Sequence, residues 1–173
     1  DKDFFIFRDR EGNVSTYSYR AFNELIDQTA NMFLSQGVER GEHVAVQMHT
    51  CPEFLMCLFG LAKIGAVLVP MNEQYLQAEC EYALDMCSTR RAVVEPCYVE
   101  LYDAIHADGR LDQGIIVARS EGGEEAMGYP LFSELVAAEG TELEVPSDLS
   151  PDDPCEILFT SGTTSNPKGV ILT

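Results

Sequence analysis

His43-Val44-Ala45-Val46-Gln47-Met48-His49 is followed by Thr50-Cys51-Pro52-Glu53 and then by an apolar run from Phe54 to Ala62. Lys63, Ile64 and Gly65 lead into a second β-rich run, Ala66-Val67-Leu68-Val69, which ends at Pro70 and Asn72. Val44, Val46 and Met48 alternate with Ala45 and Gln47, which predicts a strand over 43–49. Thr50 is a candidate helix cap, Cys51 and Pro52 open the helix, Glu53 places a carboxylate in its first turn, and Gly65 closes it. Phe54 to Ile64 is apolar almost all round, so this helix is expected to be buried on several sides. The unbroken apolar run at 66–69 is that of a strand covered on both faces. Strand, helix and strand in succession predict a parallel pair joined by a crossover.

The rhythm continues downstream. Tyr75 to Cys87 predicts a helix with Leu76, Cys80, Ala83, Leu84 and Cys87 on one side. Arg91 to Glu95 predicts a strand, Tyr98 to Ala107 a short helix, and Gly114 to Ala118 another strand. Leu131, Phe132, Leu135 and Val136 suggest a last short helix closed by Gly140. The fold class that follows is α/β, with a mostly parallel sheet and helical crossovers. Upstream, Phe4–Phe7 and Val14–Tyr17 flank a polar turn and predict a hairpin. Ser18 then caps a helix whose apolar positions, from Tyr19 to Phe33, face a sheet, and Gly37 ends it. Residues 141–154 form an extended connector, in which Asp152-Asp153 lie between two prolines and read as a turn rather than a metal pair. The run 121–125 reads as a solvated acidic loop.

Composition narrows the function. The chain has 173 residues, of which 46% are hydrophobic, and a formal net charge of −18. Such acidity repels nucleic acid and anionic membrane surfaces. Six cysteines, at 51, 57, 80, 87, 97 and 155, show no CxxC spacing, and several sit in apolar contexts. They read as free thiols of a reducing, cytoplasmic compartment. His43, His49 and His106 form no short-range ligand pair, so no metal site is expected and the histidines read as structural or exposed. The apolar run 54–62 is too short to span a bilayer. The chain starts at Asp1 and stops at Thr173 inside a predicted strand, which leads one to expect a piece of a longer protein.

Near the C-terminus, Ile157-Leu158-Phe159 and Val170-Ile171-Leu172 flank Thr160-Ser161-Gly162-Thr163-Thr164-Ser165-Asn166-Pro167-Lys168-Gly169. Two β-rich runs enclose a loop of small hydrogen-bonding residues carrying one fixed positive charge. That chemistry suits phosphate: hydroxyls and closely approaching backbone N–H groups donate, and Lys168 supplies the point charge. A Walker A loop needs glycine before its lysine and Ser/Thr after it, at a helix start. Here Pro167 precedes and Gly169 follows, so a phosphate-loop NTPase is disfavoured.

The pattern resembles the phosphate-loop signature of the adenylate-forming enzymes, which comprise acyl-CoA synthetases, the adenylation domains of peptide synthetases, and luciferases. In that family the stretch usually reads Thr-Ser-Gly-Thr-Thr-Gly-x-Pro-Lys-Gly, and Ser165 stands where glycine is commoner. Ser18-Tyr19, Gly41 to Val46 and Phe59 to Asn72 resemble its N-terminal part as well. Within the family, 51–72 and the Thr-Thr-Ser of the loop look most like the crotonobetaine/carnitine-CoA ligase branch. The resemblance implies a partial N-terminal AMP-binding domain over 1–173, ending just after the phosphate loop, with the C-terminal domain absent. It implies that Thr160, Ser161, Gly162, Thr163, Thr164 and Ser165 contact the β- and γ-phosphates of ATP. Lys168 would assist them, and Gly162 and Gly169 would permit the backbone path. It implies Mg2+ and coenzyme A beside ATP, and a small carboxylate as substrate. The adenine and acyl pockets, the magnesium-binding acid and the adenylation lysine would lie beyond Thr173, so the piece alone is expected to be inactive. A non-catalytic α/β binding module, or an adenylating enzyme for aryl, fatty or amino acids, are the alternatives. Oligomeric state is not legible in the sequence.

Overall fold

The computed structural model describes residues 1–120, 123–160 and 167–173. It opens with an antiparallel hairpin, β1 (Asp3–Arg8) and β2 (Val14–Ser18), as expected. Helix α1 (Tyr19–Ser35) begins at Ser18, whose hydroxyl accepts from the Ala21 N–H at 3.2 Å. The α/β alternation follows: β3 (His43–Gln47), α2 (Pro52–Lys63), β4 (Val67–Pro70), α3 (Gln77–Cys87), β5 (Arg91–Val94), α4 (Val99–Ala107), β6 (Gly114–Val117) and α5 (Phe132–Ala137). The chain closes with β7 (Glu156–Thr160) and β8 (Lys168–Leu172).

The main sheet has six strands in the order β6-β5-β3-β4-β7-β8. Every neighbouring pair is parallel except β7 and β8. The period-two alternation of β3, β4, β5 and β6 divides their side chains between two cores, whereas β7 buries only Ile157 and leaves Leu158 exposed. Val44, Val46, Leu68, Val93 and Ile116 share one core with α1, α2 and α5. Ala45, Val67, Val69, Ala92, Val94, Ile115 and Val117 share the other with α3 and α4. Both faces of these four strands are therefore covered, and they read as continuous apolar runs for that reason.

Local departures from expectation have identifiable causes. Thr50 does not cap α2. Cys51 occupies that position in extended conformation, without a side-chain cap bond, and Pro52 opens the helix with its φ already restricted to the helical range. Tyr75 and Leu76 precede α3 rather than belonging to it. Leu76 is largely exposed, and its N–H donates to the Glu79 carboxylate at 3.1 Å, which fixes the start of the helix at Gln77. Helix α1 shares the core of the main sheet, as expected, and also packs on α2, α5 and the small β1-β2 hairpin. There Phe5 meets Phe22 edge-on with ring centroids 4.9 Å apart. The connector after α5 is tied down rather than loose. Asn31 donates to the carbonyls of Gly140 and Glu142, and Arg40 pairs with Asp148 and Asp153 at 2.6 and 2.9 Å. Asp153 also accepts from the Ser150 N–H, which closes the expected turn. All six cysteines are free. Among the described residues no helix is long and apolar enough to cross a membrane.

The connection after β3 leaves toward one face of the sheet, whereas those after its neighbours β4 and β5 leave toward the other. Such a switch opens a crevice at the carboxyl ends of the strands. Here the chain fills part of it with its own charges. Glu95, buried just after β5, accepts from the backbone N–H of His49 at 3.1 Å and meets its Nδ1 at 2.5 Å. Its other oxygen accepts from Arg119 at 2.8 Å. Three strand ends are thereby clamped through one carboxylate. Burial alone would push the Glu95 carboxyl up, but the His49 bonds and the Arg119 guanidinium together hold it below its ordinary 4.5.

Two predictions follow from this architecture. Gly65 adopts a positive φ of 73°, and an added Cβ would sit 2.8 Å from Leu149 Cδ2 and 2.9 Å from Arg40 Cγ. Gly65→Ala should therefore cost about 1–3 kcal/mol, read as a thermal midpoint lowered by several degrees. Because the folded-state value of Glu95 is depressed, its stabilisation is present above the ordinary glutamate range and lost as pH falls through the folded value. Glu95→Gln should lower the midpoint at neutral pH and flatten its fall over the acid range below about pH 5, as followed by melts across pH.

Candidate functional site

The expected phosphate loop joins β7 to β8. Pairing between these strands runs from Glu156↔Leu172 to Thr160↔Lys168, so the last pair of the ladder sets the two flanking candidate residues opposite each other. Because β7 lies parallel to β4, Thr160 emerges at the same carboxyl edge as the ends of the other parallel strands. Strand geometry thus delivers the loop to the edge where open α/β sheets bind ligands. Thr160 and Lys168 are exposed, and among the described residues Lys168 has no ion-pair partner. Ser161, Gly162, Thr163, Thr164 and Ser165 lie outside the described residues.

Gly169 has a specific spatial reason to be glycine. Its φ lies outside the left-handed region, so conformational freedom is not what it supplies. An added Cβ would instead stand 3.0 Å from Ile157 Cγ2 and just under 4 Å from the Phe159 ring. Absence of a side chain lets β8 lie close over β7. Ile157 is buried in the core beneath α3, so it has little room to give.

Two clefts open at the same edge. One, of about 820 Å³, lies at the ends of β3 and β4 between Met48, Thr50, Met71, Asn72 and the β1 residues Phe5 and Phe7. Its mainly apolar walls do not answer to a polyphosphate. The other, of about 650 Å³, runs from the β1-β2 turn to His49, Glu95 and Arg119. His49, Glu95 and Cys97 carry metal-type donor atoms within 4.8 Å of one another. Both Glu95 oxygens are already engaged, however, and a guanidinium sits on one of them. The arrangement is that of an ion-pair network, with the Glu73 carboxylate 3.7 Å from the free ring nitrogen of His49. Sequence reasoning assigned His49 no partner and did not single out Glu95 or Arg119. The available signal was positional, because all three lie within two residues of a strand's carboxyl end.

Comparison with known proteins bears on the family of the chain. A family model described as AMP-binding enzyme matches residues 1–173. The crotonobetaine/carnitine–CoA ligase of Salmonella paratyphi C (strain RKS4594) is 42% identical over 173 residues, covering all of this chain and 34% of that protein. Its counterpart from Salmonella arizonae is 40% identical over 175 residues, again with 34% of its length covered. The chain thus spans about a third of these relatives. Among solved structures, the anthranilate CoA ligase AuaEII in complex with anthranoyl-AMP superposes with a TM-score of 0.82 at 27% identity, over 91% of this chain and 30% of that one. ATP-bound MatB from Rhodopseudomonas palustris shares the fold, with a TM-score of 0.76 at 22% identity over all of this chain and 32% of that one. The chain belongs to the AMP-binding enzyme family.

Proposed function

We propose that the full-length protein is an ATP-dependent carboxylate–CoA ligase, and that residues 1–173 contribute its phosphate-binding hairpin. The observation that carries the reading is the pairing of Thr160 with Lys168 at the carboxyl edge of the sheet, closing a loop of hydroxyls, glycine and one lysine. A carboxylate is a poor electrophile. In the proposed reaction its oxygen attacks the α-phosphorus of ATP, the bond between that phosphorus and the α,β-bridging oxygen breaks, and pyrophosphate departs with the electron pair. The thiol of coenzyme A then attacks the acyl carbon, AMP leaves, and a thioester forms.

The departing pyrophosphate concentrates negative charge where neutral donors and a cation do most good. In this reading Thr160 to Ser165 donate to the β- and γ-phosphates, Lys168 neutralises part of their charge, and Gly169 keeps β8 close enough to β7 to hold the lysine there. Magnesium would enter as the ATP complex. The ammonium of Lys168 fits the phosphates rather than the ion, and none of the described residues is assigned to the metal. The substrate class proposed is a small carboxylic acid of the crotonobetaine or carnitine type, supported by the identity to ligases of that name. A cytoplasmic location suits ATP and coenzyme A as co-substrates, and the net charge of −18 disfavours nucleic acid as a partner.

Full-length protein given MgATP and a panel of carnitine-type, aryl, fatty and amino acids should form a hydroxylamine-trappable adenylate with one of these classes. Lys168→Ala should slow that step by roughly a hundredfold, and an unchanged rate would remove the loop from the mechanism. Residues 1–173 alone should release no pyrophosphate under the same conditions, since the reading leaves the acyl pocket and adenine pocket to other segments. Turnover by the isolated piece would contradict that division of labour.

A further inference from the structure

Helix α3 carries one side chain that its packing does not explain. Cys80, Ala83, Leu84 and Cys87 follow helical spacing and are buried against the sheet. Tyr82 stands off this stripe and is half-buried. Its hydroxyl donates to the carbonyl oxygen of Pro167 at 3.2 Å, across 85 residues of sequence. The bond therefore links the crossover helix after β4 to the returning arm of the hairpin.

The chemistry of that acceptor matters. The carbonyl of Pro167 and the N–H of Lys168 belong to one planar peptide unit. Holding the oxygen fixes the plane, and the plane sets the direction in which the Lys168 backbone enters the ladder opposite Thr160. Proline adds stiffness on the other side, because its ring restricts φ to about −65°. Lys168 is exposed, and its flexible side chain has no ion-pair partner among the described residues, so the origin of its backbone is what the fold controls. A phenol suits the task, since its ring packs while its hydroxyl reaches a polar partner.

We propose that Tyr82 is a positioning residue for the cationic end of the hairpin, acting through the 167–168 peptide on Lys168. The proposal rests on the ligase reading for its consequence in turnover. It predicts that loss of the hydroxyl weakens the handling of the ATP phosphates while leaving the carboxylate alone.

The test uses full-length protein as wild type, Tyr82→Phe, Lys168→Ala and the double variant. Three quantities are measured: pyrophosphate release with MgATP and the accepted acid, the calorimetric Kd for MgATP alone, and the thermal midpoint. Tyr82→Phe should raise both the KM and the Kd for MgATP roughly three- to tenfold, the size expected of one neutral hydrogen bond. The KM for the acid should stay within about twofold, since the bond touches only the phosphate end. In the Lys168→Ala background the added loss should shrink to less than about twofold, because residues acting through one another are not additive. Unchanged MgATP affinity overturns the proposal. So does an equal loss in both backgrounds, or a parallel rise in both KM values with a lowered midpoint, which marks a merely structural tyrosine. Should wild-type protein release no pyrophosphate with any acid, the ligase reading falls. Tyr82 is then judged by the MgATP titration, where a weaker Kd sustains it and an equal one does not.

Discussion

Burial of β3 on both faces is the constraint on which the rest of the molecule depends. A strand with Val44 and Val46 in one core and Ala45 in the other cannot face water anywhere, so it must be flanked by strands and covered by helices on both sides. With β4 on one side and β5 on the other, consecutive connections are forced to opposite faces. That topology opens the carboxyl-edge crevice and gives β7 a parallel partner in β4. The hairpin loop then arrives at that edge because the sheet leaves it no other place. Apolar burial supplies the driving force, while alternation supplies the address.

Elements whose information is local could be read directly. The β3-α2-β4 unit, the Ser18 cap and the β1-β2 hairpin depend on period, caps and turns within a few residues. Errors arose where a neighbour decided the outcome. Thr50 satisfies every rule for a cap, yet Cys51 takes that position because Pro52, with its φ preset, occupies the first helical position. Leu76 has helical spacing to Cys80, yet the Glu79 carboxylate captures its N–H and makes it the cap, so the helix starts one residue later at Gln77. The Glu95 network and the Tyr82–Pro167 bond were invisible for a different reason. Their partners are tens of residues apart and meet only once the strand order is known. The family signature at 160–169 was legible because its residue types sit side by side in the chain.

Glu95 also shows how a charged group is made part of the fold at a place where ligands would otherwise enter. Taking a carboxylate out of water is costly unless its oxygens are occupied. Two bonds from His49 and one from Arg119 occupy them here, on loops that follow three different strands. The network stiffens the edge on the β5 side of β3, while on the β4 side Gln47 donates to the Asn72 carbonyl at 2.7 Å. The switch-point crevice is thus braced on both sides of β3.

On the proposed reading, an acidic chain that handles a polyphosphate faces an electrostatic difficulty, since a net charge of −18 opposes the approach of another anion. Most of its cations do not help. Arg40, Lys63, Arg90, Arg91, Arg110 and Arg119 are all engaged with carboxylates. Screening confines the general repulsion to about 8 Å at physiological ionic strength, so the field within the loop's own reach decides the matter. Neutral donors suit such a setting, because hydroxyls and backbone N–H groups attract phosphate without needing a compensating carboxylate nearby. One unpaired lysine then has more effect than several paired arginines, provided its backbone is held in place. That requirement explains why a hairpin with a tight Gly169 contact, a stiff Pro167 and a hydrogen bond from α3 suits this position better than a longer, more basic loop.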